Sequence, residues 1–101
     1  MEKPLEGLRV VDTTNNRGEL CGRLLADLGA NVVLVEPASG SSLRRIAPFG
    51  PNGDSLGFLW RNANKSGVSI DFDSDSDSQK LLSLLSEADV CDLGVANLIL
   101  V

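Results

Sequence analysis

Residues Leu8 to Pro37, LRVVDTTNNRGELCGRLLADLGANVVLVEP, constrain the fold more than any other stretch. An apolar run at Val10 and Val11 stops at Asp12, and a second, Val32 to Val35, stops at Glu36. Between them Cys21, Leu24, Leu25 and Leu28 recur at i, i+3, i+4 and i+7, the spacing of one face of an amphipathic helix. Gly29 follows where a left-handed residue ends such a helix. Two apolar strands joined by one helix within about 30 residues make a βαβ unit. Its strands lie parallel, its crossover is right-handed, and ligands collect outside the carboxyl ends of the strands. The loop Thr13 to Gly18 is therefore the first place where chemistry is expected.

The alternation continues downstream. ASGSSLRRIAPFGPNGDS, residues 38–55, is rich in Gly, Ser and Pro and reads as an irregular excursion with Arg44 and Arg45 in solvent, the alternative being a lid or binding segment whose arginines could meet phosphates. Ser55 to Arg61 suits a short helix with Leu56, Leu59 and Trp60 turned to the core. Val68 to Phe72 alternates apolar and polar as a strand does. Leu81, Leu84, Leu85 and Ala88 then repeat the helical spacing, with Ser74 as N-cap and Asp75 and Asp77 in the first turn, where the helix dipole favours acids. A last strand spans Val90 to Leu93, and the apolar ANLILV end is expected either to form an edge strand or to be the cut end of a longer sequence. The expectation is a single α/β domain over residues 1–101. Strands near 8–12, 31–36, 68–72 and 89–93 form one mostly parallel sheet, flanked by helices near 19–28 and 75–87.

Composition narrows the function. The net charge of −5 argues against nucleic acid and anionic membranes as partners, and no apolar run approaches a membrane span. MEKPLEGLRV has no signal-peptide core, so a cytoplasmic protein is expected. There is no histidine, which removes Ser-His-Asp and Cys-His nucleophile systems from this chain. Cys21 and Cys91 read as small core residues kept reduced, and the Asp-Ser repeat at 73–77 lacks the glycine and glutamate of a calcium loop, so no metal is expected. Gly18 and Gly22 are spaced GxxxG, not GxGxxG, which argues against a dinucleotide despite Glu36 at the end of its strand.

Four stretches together resemble the start of a class III CoA-transferase, the family of formyl-CoA and carnitine-CoA transferases and α-methylacyl-CoA racemase. They are PLEGLRVVD (4–12), GRLLADLGANVVLVEP (22–37), the run Asn62-Ala63-Asn64-Lys65 before VSIDF, and LLSEADV (84–90). The match covers nearly the whole chain and about the first quarter of a typical member. The resemblance implies a Rossmann-like fold, interlocked dimers, and transfer of CoA between carboxylic acids through an aspartate that falls beyond residue 101. No residue here is then catalytic. What the segment contributes is part of a CoA cradle: Asn16, Arg17 and Gly18 after the first strand, Pro37 after Glu36, Asn64 and Lys65, and the backbone of Ile70, Asp71, Phe72 and Asp73 along the adenine. CoA or acyl-CoA enters as substrate, with no tightly bound cofactor, and the partner is a second copy or the remainder of a longer chain.

Three departures accompany the match. Asn15 to Leu20 replaces a small-residue Ala-Gly-Pro turn and points Glu19 at an incoming phosphate; Asp73 stands where the family has a base; Asp92-Leu93-Gly94-Val95 replaces Glu-Asn-Phe. They suggest a degenerate, non-catalytic copy. The competing readings are a structural or dimer-forming α/β module without ligand, and the start of a racemase.

Overall fold

The computed structural model describes residues 3–14 and 19–92. Four strands, β1 (Arg9–Asp12), β2 (Asn31–Pro37), β3 (Ser66–Ile70) and β4 (Val90–Asp92), form one sheet in the order β3-β2-β1-β4. Every pairing is parallel: Val10 lies opposite Val32 and Val90, and Val35 opposite Val68. Between them come α1 (Glu19–Asp27), a 3-10 turn at Ser42–Arg45, α2 (Leu56–Arg61) and α3 (Asp75–Glu87). The sheet runs outward from β1 to β3 and then returns to place β4 on β1's other side. That reversal puts a switch point, where open α/β sheets bind ligands, at the carboxyl end of β1.

Alternation along the strands supplies both cores. Val10 and Val32 face α1 and pack with Ala26 and Ala30, while Leu34 meets Leu43 and Phe58. Val11, Val35 and Ile70 point to the other face and are covered by Leu81, Leu84, Leu85 and Ala88 of α3, the stripe expected from spacing. Ser74 caps α3, its side chain accepting from the Asp77 N–H. Gly29 ends α1 at φ +106°, where an added Cβ would lie 2.6 Å from Lys3 Cβ, so this position admits only glycine without rearrangement.

Four expectations are corrected. The buried face of α1 is Glu19, Gly22 and Ala26, whereas Leu24 and Leu28 are about half exposed. Small residues let this helix approach the sheet closely, and Leu25 is the one member of the expected stripe packed on the core. In α2 the buried residue is Phe58, and Leu56, Leu59 and Trp60 stand exposed. β3 begins at Ser66, opposite Val33, and ends at Ile70, because Asp71 turns the chain by accepting from the Ser74 N–H through its carbonyl. Cys21 and Cys91 are exposed free thiols, not core residues. The 38–55 excursion is also more ordered than its composition suggests, holding the 3-10 turn and an antiparallel bridge between Phe49 and Ser55. Leu93 and the ANLILV end lie outside the described residues.

Candidate functional site

Three strands deliver their carboxyl ends to one pocket of about 380 Å³. Thr13 and Thr14 line it from β1, Glu36 and Pro37 from β2, and Phe72 from the turn after β3; Ser39 to Ser42 and Arg45 close the outer wall. Three serines and a glycine make up most of that wall, with Phe72 also lining the pocket.

Two acids at the strand ends organise the floor. Asp12 is fully buried; its Oδ1 accepts from Thr14 N–H at 2.9 Å and from the Thr14 hydroxyl, and its Oδ2 from Lys65 Nζ at 2.7 Å. Lys65 spends its other two protons on Glu19 C=O and Asn62 Oδ1, both at 2.7 Å, and its side chain is 1% exposed. The pair fits only because Gly22 is a glycine: a Cβ there would lie 2.3 Å from Asp12 Oδ2.

Glu36 holds the wall. Arg44 clamps it with Nε to Oε2 at 2.6 Å and Nη2 to Oε1 at 2.7 Å, a bidentate fork. Ser41 N–H donates to the same Oε2 at 2.7 Å. The Arg44 guanidinium first, and the Ser41 amide after it, hold the Glu36 carboxyl below its ordinary range against the effect of burial. Arg44 also lies 3.9 Å over the Phe58 ring, so it is ion-paired and stacked although the residue stays exposed to solvent. The Ser41 hydroxyl donates to Glu19 Oε1 at 3.1 Å, joining the wall to α1. Burial raises the Glu19 carboxyl above its ordinary range, with Asn62, Ser41 and Lys65 opposing. Glu19 is wholly buried beneath the wall, which corrects the expectation that it faces an incoming phosphate.

Of the residues expected in the cradle, Pro37 and Phe72 meet in the pocket. Ile70 is fully buried in the core, and Lys65 is enclosed by its three acceptors. Asn64 adopts φ +68° and donates from Nδ2 to Asp27 at 2.7 Å, tying the turn before β3 to α1. Asp71 and Asp73 are exposed beside Phe72, Asp73 donating its N–H to Asp71 Oδ1 at 3.0 Å. Asn16, Arg17 and Gly18 lie outside the described residues. Thr13, Thr14 and the Ser39–Ser42 wall were not singled out individually from sequence. The available signal was their position, directly after two strands that each end on an acid.

A sequence profile of CoA-transferase family III matches residues 5–94. The chain belongs to that family. A probable fatty acyl-CoA transferase of Mycobacterium tuberculosis is 41% identical over 91 residues, 87% of this chain and 23% of its own length. A succinyl-CoA:mesaconate CoA-transferase of Haloarcula hispanica is 40% identical over 91 residues, 85% of this chain and 23% of its own. The crystal structure of a CaiB/BaiF family protein from Brucella suis superposes with a TM-score of 0.83 at 31% identity, over 90% of this chain and 25% of that one. The chain thus corresponds to the N-terminal quarter of the class III fold, and spans less than a quarter of the length of these curated relatives.

Proposed function

We propose that this segment forms the CoA cradle of a class III CoA-transferase, which moves CoA between carboxylic acids. The observation that carries the reading is the pocket at the carboxyl ends of β1, β2 and β3. It lies beside the switch point of a parallel sheet, and its lining combines the aromatic Phe72, for a base, with Thr13, Thr14, the serines of the 39–42 segment and Arg45. The two acids nearby are both neutralised, Asp12 by Lys65 and Glu36 by Arg44, so neither repels a phosphate at full strength. The relatives named above bear CoA-transferase names, which fits a CoA thioester as substrate. The catalytic aspartate is assigned to a part of the protein outside this sequence, and this segment binds without reacting. Isothermal titration of CoA into the chain tests the reading: one site with millimolar or tighter affinity is expected, and heats indistinguishable from dilution contradict it.

A second reading has its own observation. Leu20, Leu24 and Leu28 recur on the outer face of α1, between 41% and 56% exposed, and Leu59 and Trp60 of α2 add to that apolar surface. Such a patch favours assembly, with a second copy or the remainder of a longer chain covering it. Sedimentation at increasing concentration reads this out, and a monomer at every concentration counts against self-association.

A further inference from the structure

Glu36 ends β2 where, in dinucleotide-binding sheets, an acid holds the free ribose hydroxyls. Where the ribose carries a phosphate, an arginine accommodates it instead. In this chain the acid is withdrawn from ribose duty. Both of its oxygens are taken, by the Arg44 fork and by the Ser41 amide. The adjacent residue, Arg45, is exposed and lines the pocket, and it is the only cation that does so among the described residues. One of its five N–H donors is fixed on the Ser39 carbonyl at 3.1 Å, which anchors the guanidinium on the pocket wall. Consecutive arginines thus divide two tasks: Arg44 neutralises the acid and Arg45 presents positive charge to the pocket.

We infer that Arg45 reads the ribose 3′-phosphate of CoA, so that the site selects CoA over dephospho-CoA. The inference rests on the CoA reading above and adds to it the group recognised and the residue that recognises it. It also accounts for Asp73 standing where the family resemblance places a base. With Arg45 on the β2 side of the pocket, phosphate recognition does not depend on a cation after β3.

Calorimetric titration of the 101-residue chain with CoA and with dephospho-CoA, at low and high salt, tests it with wild type, Arg45→Ala and Arg45→Lys. The wild type is expected to favour CoA by about tenfold or more at low salt. Arg45→Ala should lower CoA affinity to the dephospho-CoA level while moving dephospho-CoA by no more than about twofold. Arg45→Lys should keep part of the preference, since it retains the charge without the fork. Arg45 is exposed, so unchanged far-ultraviolet circular dichroism is expected for both variants. A preference that persists in Arg45→Ala overturns the inference, as does equal affinity of the wild type for the two ligands. Binding of neither ligand by any form removes the CoA reading itself, and the inference with it.

Discussion

Lys65 Nζ lies 2.7 Å from Asp12 Oδ2, and the two side chains, 53 positions apart in sequence, are 1% and 0% exposed. The pair joins the end of β1 to the turn that feeds β3. Removing one member of a buried pair leaves the other charged and unsolvated, which costs about 3–5 kcal/mol. That is a large share of the roughly 5–15 kcal/mol that holds a domain together. Lys65→Met should therefore lower the unfolding free energy by about that amount in urea titration, and the double variant with Asp12→Asn should recover part of it. A Lys65→Met protein within about 1 kcal/mol of wild type would contradict this account of the pair.

Gly22 provides a second test of the same contact. In an exposed helix interior Gly→Ala stabilises by about 1 kcal/mol. Here the added methyl would lie 2.3 Å from Asp12 Oδ2 and 3.0 Å from the Lys65 ammonium. Gly22→Ala should instead destabilise, by about 2 kcal/mol or more. A raised denaturation midpoint would show that α1 does not press on the ion pair.

β1 and β2 were legible because each is a short apolar run reaching an acid, and β3 because apolar and polar residues alternate around it; α3 was legible because its leucine stripe packs on the sheet. The face of α1 was not. Periodicity finds the most apolar face of a helix, here Cys21, Leu24, Leu25 and Leu28, and of these only Leu25 packs on the core while the others stand exposed. The face that packs was encoded in Gly22, Ala26 and a glutamate, residues chosen for close approach and for a polar network rather than for hydrophobicity. The same limit hid Lys65. From sequence it was a candidate cradle residue beside Asn64, and nothing local reports a partner at Asp12. The pocket's position followed from the βαβ rule, whereas its wall depended on the Glu36–Arg44–Ser41 contacts across an irregular segment.

Two buried carboxyls give opposite pH dependences. Glu36 is shifted below its ordinary 4.5, chiefly by Arg44, so its contribution to stability is present above that value and is lost as pH falls through the lowered one. Glu19 is shifted above 4.5, chiefly by burial. The folded state then holds its proton more tightly than the unfolded chain, and its contribution is present below 4.5 and lost as pH rises through the raised value. Urea midpoints measured from about pH 2 to 8 should show Glu19→Gln gaining stability relative to wild type as pH rises above 4.5, and Glu36→Gln losing it as pH rises toward 4.5. Parallel profiles for all three proteins would exclude both assignments.

Asp73 is exposed next to Phe72, whose ring lines the pocket. Replacing it by lysine removes a negative charge near the pocket mouth and adds a positive one. Asp73→Lys should tighten CoA binding by about 1 kcal/mol at low salt, and the gain should shrink as salt screens it. The fold should be unaffected. Equal affinities for the two proteins at low salt would place the phosphates away from this edge.

CoA is proposed to occupy the pocket where β1, β2 and β3 end. Amide chemical-shift mapping of the isotopically labelled chain during titration with CoA tests it most directly. The account predicts shifts that saturate together at Thr13, Thr14, Gly40, Ser41 and Phe72, with Leu84 and Glu87 at the opposite end of the sheet unmoved. Saturating shifts centred on that opposite end, or no shifts at millimolar CoA, would contradict it.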